Sequence, residues 1–191
     1  MTSLPGVSGA IDEWCAGRDW RWRAGVLALL VWQAARPLRD SESWHLFRGI
    51  SFGAHELGHL FFGFAGEWMA IAGGSVMQLA VPLGAIGAMY ATSRDWFGMA
   101  AAGTWLAASV ADLAPYIADA RAQELDLVSF SPDGGGHDWH FLLADAGWLK
   151  YDIAIARGAR FVAFVVLLAS ACAGIALLRR MARQRRTAPT A

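Results

Sequence analysis

Hydrophobic residues in this chain are gathered into long blocks that polar residues seldom interrupt. A helix needs about 20 consecutive, mostly apolar residues to cross the hydrocarbon core of a bilayer. Four blocks reach that length, and they cover residues 46–65, 69–92, 96–118 and 159–178. The pattern therefore predicts an all-α fold, a polytopic membrane helix bundle with four transmembrane helices.

A fifth apolar block, residues 24–35, is too short for a single interpretation. Its length of about 12 residues corresponds to about 18 Å of helix, whereas the hydrocarbon core is about 30 Å thick. Arginines flank the block on both sides, and their side chains could extend to the interfaces and anchor it. The block is either a short span, which would make five transmembrane helices, or a helix that lies in the interface.

Arginines near the ends of the blocks indicate how the bundle is oriented, because cytoplasmic loops carry an excess of basic residues. The tail after residue 178 holds five arginines and is predicted to be cytoplasmic. Counting back through four spans places the loop 119–158 outside and residues 93–95 inside. The segment before residue 46 is then inside as well, which agrees with its arginines.

Composition supports a membrane protein. The chain has 191 residues, of which 56% are hydrophobic and 17% charged, whereas a soluble domain carries about 45–50% apolar and about 25% charged residues. The 10 tryptophans fit as well, since Trp collects at membrane interfaces. The net charge of +0 provides no global field for nucleic acid, so none is expected as a partner. We expect a protein of a bacterial inner membrane, with the bilayer as its partner and its oligomeric state left open.

We treat residues 1–191 as one integral membrane domain. Its parts are the N-terminal segment 1–45, the spans 46–118 that hold the candidate catalytic residues, the loop 119–158, the last span 159–178 and the basic tail 179–191.

The block 46–65 contains ionisable side chains that lipid does not favour. His55 and His59 are four residues apart, so on a helix they share one face, and Glu56 follows the first of them. In the H-E-x-x-H pattern the two imidazoles bind zinc and the glutamate is the general base. Charged groups at the centre of a span cost about 2.5–3.5 kcal/mol each on insertion scales and are kept mainly for function. The motif therefore predicts a zinc site more strongly than a pair of structural interhelical histidines.

A zinc site of this kind needs a third protein ligand and keeps its fourth position open for water or substrate. The candidates are Asp119, at the end of the third block, and His137 in "GGGHDWH", and the residues leave the choice between them open. Other polar side chains could contact substrate or support the ligands, namely Gln78, Asp112, Asp138 and His140. For Asp112 we favour a hydrogen bond within the bundle.

The motif resembles that of the site-2 protease family of intramembrane zinc metallopeptidases. "HELGH" is similar to the first motif of this family, which implies that His55 and His59 are metal ligands and Glu56 is the catalytic base. The resemblance extends over about residues 50–120.

Two further segments resemble the later motifs of the family. "AGGSVMQL" at residues 72–79 lies where the family has G-P-x-x-N, with Gln78 near the place of the amide. "DLAPYIADA" resembles N-x-x-P followed by L-D-G, with Asp112 at the place of the asparagine and Asp119 close to the ligand aspartate. The aspartate spacing is one residue shorter than usual, Ala120 replaces the glycine, and Gln78 is not asparagine. The chain thus resembles a minimal or divergent member.

The resemblance implies that a peptide bond in or near a transmembrane segment is hydrolysed. The substrate would be a transmembrane or membrane-proximal protein segment, and a helical substrate must unwind locally to expose a carbonyl. Glycines 73–74 and 134–136 are predicted places for a substrate edge or gate. Two alternatives stay open: a zinc-binding membrane protein without proteolysis, such as a sensor or assembly factor, and a structural bundle partner without metal.

Overall fold

The computed structural model describes residues 6–126 and 136–187, and this part of the chain is helical without strands. Its α-helices are α1 Val7–Cys15, α2 Trp20–Arg39, α3 Arg48–Phe62, α4 Glu67–Ser93, α5 Trp96–Ala118, α6 Asp138–Asp145 and α7 Asp152–Thr187. Short 3-10 turns at Gly63–Ala65 and Leu149–Tyr151 precede α4 and α7. The predicted all-α class is confirmed.

Among the described residues, three helical stretches are long and apolar enough to cross a membrane: Glu67–Ser93, Trp96–Ala118 and Leu149–Arg186. They contain three of the four predicted spans. The fourth, 46–65, forms α3 of only 15 residues. The short block 24–35 lies inside α2, which has 20 residues but includes arginines at both ends. Four or five spans were expected, and three helices meet the requirement.

Local interactions define where several of the helices begin. The carboxylate of Asp95 accepts the Gly98 N–H and so caps α5. The His137 imidazole accepts the His140 N–H in the same way at the start of α6. Before α4, Gly66 adopts a φ of 98°, a conformation that favours glycine, and it lets the chain reverse direction after α3. The turn at Gly66 and the cap at His137 lie at the end of the bundle where α3, α4 and α6 meet, and the Asp95 cap lies at the opposite end.

Helix α5 lies at the centre and packs against α2, α4 and α7. Most of its buried residues are Ala, Gly, Ser or Thr, and small side chains allow helix backbones to approach closely. At Gly103 a Cβ would overlap the Ser170 side chain of α7. The bundle is therefore held by close helix contacts more than by bulky core side chains.

Helices α3 and α4 form an antiparallel pair whose backbones touch. A Cβ at Gly58 would overlap the carbonyl of Gly73, and a Cβ at Gly73 would lie 2.7 Å from the Gly58 carbonyl oxygen. Helix α3 thus covers Gly73 and Gly74, the first group of glycines predicted as a substrate edge or gate. Of the second predicted group, Gly134 and Gly135 lie outside the described residues. Because of this contact between glycines, the face of α3 with the two histidines packs against α4.

Candidate metal centre

The two histidines of the motif and a carboxylate from a distant segment meet between α3, α4 and α6. The His55 and His59 rings lie 4.8 Å apart between centroids. Their Nε2 atoms lie 3.0 Å and 3.4 Å from the same oxygen of Asp138, Oδ2. One ligand atom from each of the three residues lies within 4.8 Å of the others. The structure therefore assembles a His-His-Asp group that could hold a metal ion.

The other ring nitrogen of each histidine, Nδ1, has a hydrogen-bond partner. His55 Nδ1 lies 3.0 Å from Gln78 Oε1, and His59 Nδ1 lies 2.8 Å from the Ala70 carbonyl oxygen. Both partners are acceptors, because the Gln78 amide nitrogen donates to the Ser109 carbonyl at 3.1 Å. Each Nδ1 therefore carries a proton, so Nε2 is the ring nitrogen that faces Asp138 and, in a neutral imidazole, the one that holds the lone pair. Metal-binding histidines almost always donate their second N–H in this manner.

Three electron-rich atoms converge on one point in this arrangement. At separations of 3.0 Å and 3.4 Å, a proton or a cation must lie between the Nε2 atoms and the carboxylate oxygen to offset their repulsion, and a divalent metal could take that place. Two imidazoles and one carboxylate also form a ligand set that proteins use for catalytic zinc. The donor chemistry of the residues therefore fits a bound divalent metal.

Gly74 of α4 keeps the space beside the ligand atoms free. A Cβ at this position would lie 2.6 Å from His59 Nε2 and 2.7 Å from His55 Nε2. Any residue other than glycine would therefore fill the volume that a metal and its fourth ligand need. The requirement for glycine follows from the site and not from backbone conformation, since Gly74 is an ordinary helical residue.

Asp138 is held from the side of α5. Its backbone N–H donates to the Tyr116 hydroxyl at 2.8 Å, and the Tyr116 ring lies 6.2 Å from the His55 ring. Burial raises the pKa of Asp138, but interactions with His55 and His59 outweigh that effect and leave the pKa below its usual value. The carboxyl group is therefore ionised at neutral pH, as a metal ligand must be.

Glu56 lies beside this group on α3. Its side chain is half-buried, and its carboxylate interacts electrostatically with His59 and with Tyr116. The H-E-x-x-H residues thus occupy one neighbourhood, with the glutamate next to the ligands and not among them.

The two residues predicted as alternatives for the third ligand lie elsewhere, and they contact each other. His137 Nε2 lies 3.2 Å from Asp119 Oδ2, while the Asp119 carboxylate also accepts the N–H groups of Glu124 and Leu125. Burial lowers the pKa of His137 more than Asp119 raises it. In the described part of the chain neither residue joins the His-His-Asp group, and both hold the segment that leads into Asp138.

The structure also places the other predicted polar residues. Gln78 lies behind His55 and orients it. Asp112 pairs with the fully buried His45 at 2.9 Å, which agrees with the bond predicted within the bundle. His140 donates to the Ala120 carbonyl at 2.7 Å and supports α6. Asp138, expected only to contact substrate or to support the ligands, supplies the carboxylate of the group.

A cleft of about 670 Å³ opens onto Asp138. Its walls come from the first turn of α4, with Glu67 and Ile71, and from one face of α6, with Phe141 and Ala144. The cleft gives the ligand group access to the outside of the bundle at the end where α4 begins.

Comparison of the chain with protein-family models, curated proteins and solved structures finds no significant match.

Proposed function

We propose that this protein is an intramembrane zinc metallopeptidase that hydrolyses a peptide bond in or near a transmembrane segment of a protein substrate. The observation that carries the proposal is the convergence of His55 Nε2, His59 Nε2 and Asp138 Oδ2, with Glu56 adjacent. The resemblance of "HELGH" to the first site-2 protease motif supports the same reaction. In this proposal the third ligand is Asp138 and lies outside the segment that carries the resemblance.

His55, His59 and Asp138 would hold the metal, and we assign zinc because two histidines and one carboxylate are a donor set of catalytic zinc sites. Bound zinc supplies a Lewis acid that polarises a carbonyl and lowers the pKa of water toward about 7.

The protein's own groups position the reactants and move the proton. Gln78 and the Ala70 carbonyl hold the two imidazoles in the tautomer that directs Nε2 to the metal. Glu56 accepts a proton from the attacking water and returns it to the leaving amine nitrogen. The substrate segment enters beside Asp138 through the cleft, in a locally unwound form that exposes its carbonyl.

Zinc content per chain, measured on protein purified in detergent without chelator, tests the metal centre. We expect one zinc per chain in the wild type and none in His59→Ala or Asp138→Asn. Asp145→Asn is the matched control, because Asp145 is an exposed acid at the other end of α6. Wild-type protein that contains no zinc would contradict the proposal. If His137→Ala loses zinc and Asp138→Asn keeps it, the third ligand is His137 and not Asp138.

Peptide hydrolysis by Glu56→Gln tests the reaction itself. We expect this variant to bind zinc as the wild type does and to cleave a transmembrane substrate about 10²–10⁴-fold more slowly. Glu124→Gln, which alters an exposed glutamate, should leave the rate unchanged. Zinc binding without any cleavage by the wild type would instead support the non-proteolytic alternative.

A further inference from the structure

A second pocket lies at the end of the bundle opposite the metal centre. It has a volume of about 260 Å³, and Trp14, Arg18, Arg23, Ser93 and Asp95 line it. We call it the arginine pocket. It is built from the segment between α1 and α2, the last turn of α4 and the residue that caps α5. Since Ser93 follows Gly74 by 19 residues along one helix, the pocket lies about 28 Å from the metal centre.

The two arginines in this pocket are oriented by indole rings. The Arg18 guanidinium lies 4.4 Å from the centroid of Trp14, and that of Arg23 lies 4.3 Å from the centroid of Trp22. Stacking of this kind uses the flat face of a guanidinium and leaves its edge donors available. The indoles therefore hold two planar cations in place before any ligand arrives.

Donors of both arginines lack a partner. The Nε atoms of Arg18 and Arg23 are buried and form no hydrogen bond, and a buried donor without a partner costs free energy. Other arginines form ion pairs with carboxylates, among them Arg121, Arg180 and Arg185. Arg23 also donates through Nη1 to the Asp19 carbonyl, which fixes its position, and its charge acts on the Asp19 carboxylate. The pocket thus presents two guanidinium groups whose Nε donors have no partner, beside the carboxylate of Asp95.

One acidic side chain belongs to the wall and has another role. Asp95 accepts the Gly98 N–H through Oδ1 and stabilises the start of α5. Its charge sits at the positive end of the helix dipole, which partly offsets it. An anion in the pocket consequently meets the guanidinium edges as its main electrostatic partners.

The position of the pocket points to a lipid as the source of the anion. It lies where two of the three apolar helices meet, at Ser93 and Asp95. The arginine-rich end of α7 lies at the same end, since Arg180 pairs with Asp12 and Arg185 with Asp19. Tryptophan-rich helix ends lie at the headgroup level of a bilayer, and basic pockets between transmembrane helices bind anionic headgroups.

We propose that the arginine pocket binds the phosphate group of an anionic phospholipid. Arg18 and Arg23 hold the phosphate oxygens through their edge N–H groups, in the planar geometry that guanidinium and phosphate share. This site is independent of the metal centre and of any peptidase activity.

Native mass spectrometry of the detergent-purified full chain tests this proposal by counting retained lipids. Phosphatidylglycerol, phosphatidylcholine and inorganic phosphate are the probes. We expect one phosphatidylglycerol per chain to be retained in preference to phosphatidylcholine. Loss of one charged hydrogen bond should weaken that binding about tenfold in Arg18→Gln and in Arg23→Gln. Arg23→Lys should fall between wild type and Arg23→Gln, because it keeps the charge and loses the planar donors.

Two controls separate the pocket from general charge effects. Arg36→Gln removes another arginine stacked on an indole, that of Trp32 at 5.3 Å, outside the pocket. Arg179→Gln removes an exposed charge near the same end of the bundle. Both should bind the lipid as the wild type does, with melting temperatures reporting that all variants are folded. Equal retention of phosphatidylcholine, or unchanged binding in Arg18→Gln, Arg23→Gln and Arg23→Lys, would overturn the proposal. Competition by inorganic phosphate at the same concentration as the lipid would overturn the assignment to a lipid.

Discussion

At the scale of single residues, the proposed metal centre depends on groups other than His55, His59 and Asp138. Gln78 and the Ala70 carbonyl determine which nitrogen of each imidazole is free. Without these acceptors the histidine tautomers would be mixed, and part of the population would direct an N–H at the metal. The supporting residues are therefore expected to affect metal affinity as well as stability.

Replacement of Gln78 by leucine tests this expectation. We predict zinc affinity about 10–100-fold weaker, which is the usual effect of removing a partner of a ligating histidine. Gln33→Leu is the matched control: Gln33 is also buried and accepts the Leu46 N–H, far from the ligands. A competition titration with a zinc chelator measures both variants. Equal losses of affinity would show that Gln78 acts only through general stability.

Gly74 offers a second test at this scale. Gly74→Ala would place a methyl group 2.6–2.7 Å from both Nε2 atoms, so we predict loss of zinc binding. Gly84→Ala lies on the same helix with nothing within 4 Å, and it should keep the metal. The measurement is the zinc content per chain of both variants. A Gly74→Ala protein that binds zinc would contradict the position we assign to the ion.

At the scale of elements, the antiparallel pair of α3 and α4 carries the site. Helix α3 has only 15 residues, yet four of them are buried. Gly58 and His55 rest on the glycines of α4, and Ser51 contacts Ser109 of α5. The histidines of α3 consequently face α4, while Leu57, Leu60 and Phe61 are exposed on the outer side. The pair behaves as one unit in which glycine contacts take the place of interdigitated side chains.

A larger residue at the contact should separate the two helices. Gly58→Ala introduces a methyl group that overlaps the Gly73 carbonyl, and we predict a loss of about 1–3 kcal/mol in the free energy of unfolding. Gly53→Ala, on the same helix with nothing within 4 Å, should be neutral or stabilise by up to about 1 kcal/mol. Thermal unfolding in detergent, followed by circular dichroism, compares the two. A Gly58→Ala protein as stable as Gly53→Ala would disprove the close backbone contact.

At the scale of the whole molecule, the metal centre joins segments that are remote in the chain. His55 and Asp138 are separated by 83 positions, so a metal ion between them would link α3 to α6. A ligand that binds only the folded state stabilises it by mass action. The folded bundle should therefore be more stable with zinc than without it.

Metal removal tests this linkage. We predict that zinc at about 100 times its dissociation constant adds about 2.7 kcal/mol to the free energy of unfolding. A chelator should reverse the gain, and His59→Ala should show neither effect. Melting temperatures measured with and without zinc give the result. A gain of the same size in His59→Ala would mean that zinc binds somewhere else.

The amino-acid sequence by itself determined the helical class, the two imidazoles and the adjacent glutamate. Apolar block lengths and the spacing of His55 and His59 are local properties, and a helix turns them directly into a shared face. The same local pattern predicts a fourth span over 46–65, which is not confirmed, because the helix in that block ends at Phe62.

Only the tertiary structure decided which carboxylate meets the histidines. Asp119, His137 and Asp138 are all polar residues in or near one loop, and nothing local distinguishes a ligand from a support. The distinction arises because His137 caps α6 and pairs with Asp119, which leaves Asp138 on the side that faces α3. The tautomers of the histidines and the space at Gly74 were decided in the same way. They depend on which atoms of a neighbouring helix come within hydrogen-bond distance, and that is a property of packing.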